Sequence, residues 1–188
     1  MSKDQRLEEE DRELIQRMAA KDANALDTFY TCYNRVAFSF VLRIVGNRED
    51  AEDVLTDVFW QVWQQSSRYD SSRGKPIAWL LTIARTRAID CIRSTNRQQT
   101  KTDELEAHNN PASAPPEPDS LVVADTRRGV QEALQTLPEQ QRIALEMAYF
   151  QGMSHTEIAT ALGQPLGTVK DRIRNGMMHL RKRLKAYL

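Results

Sequence analysis

Residues 95–124 contain no Phe, Trp or Tyr, and they hold four of the chain's seven prolines: Pro111, Pro115, Pro116 and Pro118. Such a stretch cannot bury enough apolar surface to offset the entropy of ordering it, so it reads as a flexible linker. That feature limits the 188 residues to two small folds, 1–94 and 125–188, each with a modest core. A linker of this length spans roughly 100 Å fully extended and about 30 Å as a coil. The two halves can therefore serve sites far apart.

Outside the linker nearly every apolar run has a helical period and no strand pattern stands out, which predicts an all-α chain of two small helical domains. The first helix is expected over 9–20, with Leu14, Ile15 and Met18 inward. A long second helix carries Leu26, Phe29, Tyr30, Tyr33, Ala37, Phe40, Val41 and Ile44 on one face, and Gly46 supplies a left-handed stop. Asn47 suits the cap of a third helix, whose stripe is Ala51, Val54, Leu55, Val58, Phe59, Val62 and Trp63. The polar run "SSRYDSSRGKP" (66–76) breaks the pattern, and Pro76 fits the first turn of a fourth helix. Its core side is Ile77, Leu80, Leu81, Ala84, Ala88 and Ile92.

Shorter helices follow the linker. The first has Val130, Ala133, Leu134 and Leu137; Pro138 opens the next, with Ile143, Met147 and Phe150 inward and Gly152 as its stop. "SHTE" (154–157) has the spacing of a capping box and opens a helix with Ile158, Ala159 and Leu162. Gly163 ends that helix, and Pro165 stands where the last one begins. In "PLGTVKDRIRNGMMHLRKRL" (165–184) the apolar stripe is Leu166, Val169, Ile173, Met177, Leu180 and Leu184.

Formal net charge is zero, but its distribution is not even. Residues 1–57 carry 8 basic and 13 acidic side chains (−5), 68–97 carry 7 and 2 (+5), and 165–188 carry 7 and 1 (+6). Two basic zones behind an acidic front point to one polyanion touched twice and a different partner for the acidic part. No glycine-rich phosphate loop, metal cluster or nucleophile motif is visible, and His108, His155 and His179 lack metal spacing. The chain is thus not expected to be an enzyme, and no catalytic residue, metal, cofactor or small-molecule substrate is assigned. Two cysteines, Cys32 and Cys91, are too few for a disulfide scaffold. The opening "MSKDQRLEEEDRE" lacks an apolar signal core, and no apolar run is long enough to span a bilayer. A cytoplasmic protein is the expectation.

A capped short helix, a glycine turn and a longer basic helix make a helix-turn-helix. The second helix of such a unit enters the major groove. With Val169, Ile173 and Leu180 inward, Lys170, Asp171, Arg174 and Asn175 point away from the core. Arg pairs bidentately with guanine and Asn with adenine, while Thr168 and the first free N–H groups suit a phosphate. Arg172 joins this DNA-binding set. Arg181, Lys182, Arg183 and Lys185 suit the DNA backbone.

In the first domain the helix 48–65 presents Asp50, Glu52, Asp53, Asp57, Trp60 and Gln61 off its apolar stripe. An exposed Trp among carboxylates suits protein docking. The same pattern fits a solvated helix with Trp60 folded over an edge, and periodicity does not separate the two. On 77–93, Trp79, Thr82, Thr86 and Arg93 share a side, with Arg85 and Arg87 flanking them and Arg68, Tyr69, Arg73 and Lys75 in the loop before. Aromatic, hydroxyl and Arg side chains together serve single-stranded nucleic acid. Trp79 also fits a core position at a helix end.

"NREDAEDVLTDVFWQVWQ" (47–64), "IAWLLTIARTRAIDCIR" (77–93) and "LPEQQRIALEMAYFQGMSHTEIATALGQPLGTVKDRIRNGMMHLRKRL" (137–184) together resemble an extracytoplasmic-function (ECF) sigma factor, the smallest sigma-70 type. The resemblance covers nearly the whole chain outside the first dozen residues and the linker. It implies a region 2-like domain over 1–94 that docks Asp53 and its neighbours on the β′ coiled coil of RNA polymerase core. The Trp79 helix and its preceding loop would open and capture the −10 element of promoter DNA. It implies a region 4-like domain over 125–188 that reads the −35 element and meets the β flap. An anti-sigma factor, often membrane-bound in this family, is a further implied partner. Regions 1 and 3 have no visible counterpart, so melting would rest on region 2. The alternative is a dimeric helix-turn-helix regulator that acts without replacing sigma. No receiver or ligand-pocket pattern supports it.

Overall fold

The computed structural model describes residues 3–99 and 132–184, so the rest of the proline-rich stretch, Val130 and the C-terminal 185–188 lie outside the described residues. The chain divides into two compact units, Met1–Pro116 and Glu117–Leu188, each considered by itself below. All regular structure among the described residues is helical.

The first unit contains α1 (Lys3–Ala19), α2 (Ala23–Val45), α3 (Arg48–Gln65), a 3-10 turn (Ser66–Arg68) and α4 (Pro76–Gln99). α2, α3 and α4 pack on one another, and α1 lies across α2 and the 3-10 turn. Phe29, Met18, Ile15, Val41, Val58, Val62 and Leu80 are fully buried. Removing such side chains from water contributes roughly 1.5–3 kcal/mol each. The Phe29 ring meets Tyr33 at 4.8 Å and Phe59 edge-on at 6.4 Å.

The ends of these helices follow from side-chain chemistry. Asp22 caps α2 by accepting from the Asn24 N–H at 3.0 Å. Gly46, at φ 89°, closes α2 with its N–H on the Leu42 carbonyl at 2.9 Å. No residue with an L side chain takes that φ without strain. α1 instead ends through Lys21 at φ 68°, and the Lys21 ammonium sits 4.9 Å over the Trp63 ring. That stop carries no glycine signal in the sequence.

Several burial expectations shift. α1 begins at Lys3 rather than at residue 9, because its first turns are polar and invisible to apolar periodicity. Leu14 and Trp63 are half-buried, and Tyr30 is exposed with its ring edge on Phe59 at 4.8 Å. Ala25 and Leu42 take inner positions on α2. On α4, Ile83 and Ile89 are buried while Ile77, Leu81 and Ile92 are half-buried. The cause is shared: α2 and α4 each touch more than one helix, so their buried face is wider than one stripe. α4 also runs to Gln99, into the stretch where a linker is expected.

The second unit has a helical segment over 132–135, then α5 (Glu139–Tyr149), α6 (His155–Leu162) and α7 (Leu166–Leu184). α7 packs on both α5 and α6. Ala144 and Leu145 are the buried residues of α5, whereas Ile143, Met147 and Phe150 are only half-buried. Leu145 turns inward because α7 gives it room at Gly176. A Cβ there would stand 2.7 Å from Leu145 Cδ1 and 3.3 Å from its Cγ. Gly176→Val is therefore expected to destabilise this unit by about 1–3 kcal/mol through overpacking, read as a lower melting temperature of its transition. Leu145→Ala in the same chain should return part of that loss, and an unchanged transition would show that the helices part freely.

Candidate nucleic-acid interface

In the second unit the helix-turn-helix starts at Ser154. Its Oγ accepts from the Glu157 N–H at 3.2 Å, and Glu157 Oε2 accepts from the Ser154 N–H at 2.6 Å, completing the capping box. Gly163, at φ 60°, ends α6 with its N–H directed at the Ala159 and Thr160 carbonyls. Three residues later α7 begins, and the Val169 N–H closes its first turn on the Pro165 carbonyl at 3.2 Å. Val169 and Gly176 are buried, and Ile173 and Leu180 are half-buried. Lys170, Asp171, Arg174 and Asn175 all stand exposed, and Thr168 is half-buried beside them. The exposed Arg181, Lys182 and Arg183 extend the basic face.

Two expectations for α7 change. Arg172 is half-buried and its Nη2 donates to Gln140 Oε1 on α5, so it is turned from the exposed quartet toward α5. Leu166 and Met177 lie on the apolar stripe yet are 39% and 48% exposed, because only the Val169–Ile173–Gly176 side meets the neighbouring helices. His179 Nδ1 lies 3.1 Å from Gln141 Oε1, a second polar tie between α5 and α7. Gln140, Gln141, Leu145 and Gly176 thus hold α7 in place against α5. A glycine inside a strong helical stripe is the one sequence signal for that close approach.

In the first unit, Asn47 caps α3 by accepting from the Asp50 N–H at 2.8 Å, and its Nδ2 donates to Asp50 Oδ2 at 2.6 Å. Asp50 is thereby engaged at the helix start, where a carboxylate also complements the helix dipole. Glu52 pairs with Arg48 at 2.8 Å. Asp53, Asp57 and Trp60 are exposed along one line of α3, and Trp60 is 63% accessible. Trp60 does not fold over an edge. Gln61 is half-buried and accepts from Arg87 Nε at 2.5 Å, linking α3 to α4.

The Arg68–Lys75 loop has its own internal bonds. Asp70 Oδ1 accepts from the Ser72 N–H at 2.9 Å and from Ser72 Oγ at 2.7 Å, and the Tyr69 hydroxyl donates to the Gly74 carbonyl at 2.8 Å. Hydrogen bonds from Ser72 hold the Asp70 carboxyl below its usual range. Trp79 is half-buried with Tyr69 packed against it at 5.3 Å and 52°, so it sits at the helix end without being core. Thr82 and Thr86 are exposed, and their hydroxyls donate to the Ala78 and Thr82 carbonyls. Arg68, Arg73 and Arg93 are exposed, and Arg85 is half-buried. Burial pushes the Cys32 and Cys91 thiols up, away from the range of reactive thiolates.

Two family models match these units: Sigma-70 region 2 over residues 29–98 and Sigma-70 region 4 over 127–180. The fold and the two matches define the class, a sigma-70 type transcription initiation protein. The chain is 32% identical over 169 residues to the ECF RNA polymerase sigma factor SigK of Mycolicibacterium vanbaalenii, covering 90% of this chain and 86% of that one. It is 31% identical over 173 residues to SigK of Mycobacterium ulcerans, covering 92% of each. A solved structure of Rhodobacter sphaeroides SigE in complex with the anti-sigma ChrR aligns at 27% identity with a TM-score of 0.44, over 90% of this chain and 94% of that one. The chain belongs to the ECF sigma factors of the sigma-70 family. It directs promoter-specific initiation with RNA polymerase core. The dimeric-regulator alternative is not favoured, since the first unit matches region 2.

Proposed function

We propose that the two units divide the work at a promoter. Residues 1–94 dock on core polymerase through the Asp53–Asp57–Trp60 line of α3, against the β′ coiled coil, and open the −10 element with the Arg68–Lys75 loop and the outer face of α4. Residues 125–188 read the −35 element through Lys170, Asp171, Arg174 and Asn175, with Thr168 on a phosphate, and meet the β flap. Residues 95–124 connect them. The observation that carries this is the exposed Trp60 at the end of the Asp53–Asp57 line on α3. An apolar ring of that size left in water beside acids is what a protein partner with a basic rim would cover. An anti-sigma factor is the proposed regulator, and the protein would act in the cytoplasm. Among the described residues no helix is long and apolar enough to cross a membrane.

Purified protein with core polymerase is expected to give run-off transcripts whose 5′ ends align on two upstream sequence elements. Failure to co-elute with core, together with a symmetric footprint made without polymerase, would overturn the reading.

A further inference from the structure

The N-terminal helix α1 lies outside the region 2 match, which starts at residue 29, yet it reaches the loop assigned above to the −10 element. Glu8 Oε1 stands 2.6 Å from Lys75 Nζ, both side chains being partly withdrawn from solvent. Glu8 Oε2 also lies 3.6 Å from Arg12 Nη2. The Arg12 guanidinium sits at the Tyr69 side chain, where it opposes the rise that burial gives the phenol. Tyr69 in turn packs on Trp79 and donates to the Gly74 carbonyl. One turn of α1 therefore touches both ends of the loop, Tyr69 at its start and Lys75 at its finish. A loop held in its bound shape loses less entropy on binding.

We infer that Glu8 and Arg12 are positioning residues for promoter opening: they clamp the Tyr69–Lys75 loop from α1 so that it meets the displaced strand preformed. This rests on the assignment of that loop to the −10 element. The rival role for the same contact is a mask, in which Glu8 neutralises a lysine that would otherwise grip phosphate. The two differ in sign. Loss of a clamp weakens binding with the salt dependence unchanged. Loss of a mask strengthens binding and steepens the salt dependence, since each phosphate contact adds about one to the slope.

The test compares wild type, Glu8→Gln, Lys75→Gln and the double variant. Hydrogen exchange of the loop amides is read on the full chain without DNA. Holoenzyme affinity is read for a single-stranded oligonucleotide carrying the downstream element mapped by transcript 5′ ends, at several salt concentrations. A clamp predicts faster loop exchange in both single variants and affinity lower by about fivefold, the scale of a good partly exposed ion pair. The double variant should cost no more than either single one, as for residues acting through one contact. Tighter binding by Glu8→Gln, a shallower salt slope for Lys75→Gln, or loop exchange equal to wild type would each overturn the inference. If wild-type holoenzyme ignores the oligonucleotide, the −10 assignment fails, while the exchange data still decide whether α1 holds the loop.

Discussion

Asp53→Arg and Trp60→Ala are each expected to weaken binding to RNA polymerase core by about 2–4 kcal/mol, on the order of 30- to 1,000-fold in Kd. Both positions are exposed on α3, whose opposite side, Ala51, Val54, Leu55, Val58, Phe59 and Val62, is buried against α2 and α4. Neither change opens a cavity or strands a polar group, so the fold should hold within about 0.5 kcal/mol. Trp60→Ala removes an aromatic anchor. Asp53→Arg does more than remove an attraction, because a basic partner then meets a like charge. Glu52→Ala is the internal comparison: its carboxylate already pairs with Arg48, so a smaller effect is expected. Competition with a labelled sigma for core measures all three. Normal core affinity in both strong variants, with an unchanged melting temperature, would move the docking face elsewhere on the unit.

Arg174→Ala is expected to lower use of the cognate upstream element by about 1–3 kcal/mol and to relax preference at one base position. Lys182→Ala, in the tail that suits the DNA backbone, should instead weaken all sequences evenly, with the salt slope reduced by about one. Arg172 sharpens the comparison. It is one residue of the same charge two positions from Arg174, but it is held by Gln140 on α5. Arg172→Ala should therefore change recognition less than Arg174→Ala and act through the seating of α7. Binding of duplex libraries by holoenzyme separates these outcomes. An unchanged upstream preference in Arg174→Ala would remove that residue from the base-reading set.

Much of this was legible before any coordinates. Helix ends set by local chemistry fell where the residues put them: Gly46 as a left-handed stop, Asn47 as a cap, and the Ser154–Glu157 box. The exposed quartet on α7 also followed from phase alone, because Val169 and Ile173 fix which way the helix faces. Less legible was whatever depends on the number of neighbours a helix has. Ala25, Leu42, Ile83 and Ile89 are inside because α2 and α4 are packed from more than one side. Leu166 and Met177 stand out because α7 is covered on a narrower arc than its stripe.

The sequence by itself determined the all-helical periodicity, the helix-turn-helix with its cap and turn, and the polar lines on α3 and α7. Each rests on residues within a turn or two of one another, where backbone hydrogen bonding and side-chain spacing leave few choices. Only the tertiary structure decided that Trp60 stands in solvent, that Tyr69 lies on Trp79, and that Arg172 turns to Gln140. It alone joined Glu8 to Lys75, 67 positions apart in the chain. Contacts of that kind depend on how the helices cross. The crossing is set by volumes such as the notch at Gly176, which no single helix carries in its own pattern.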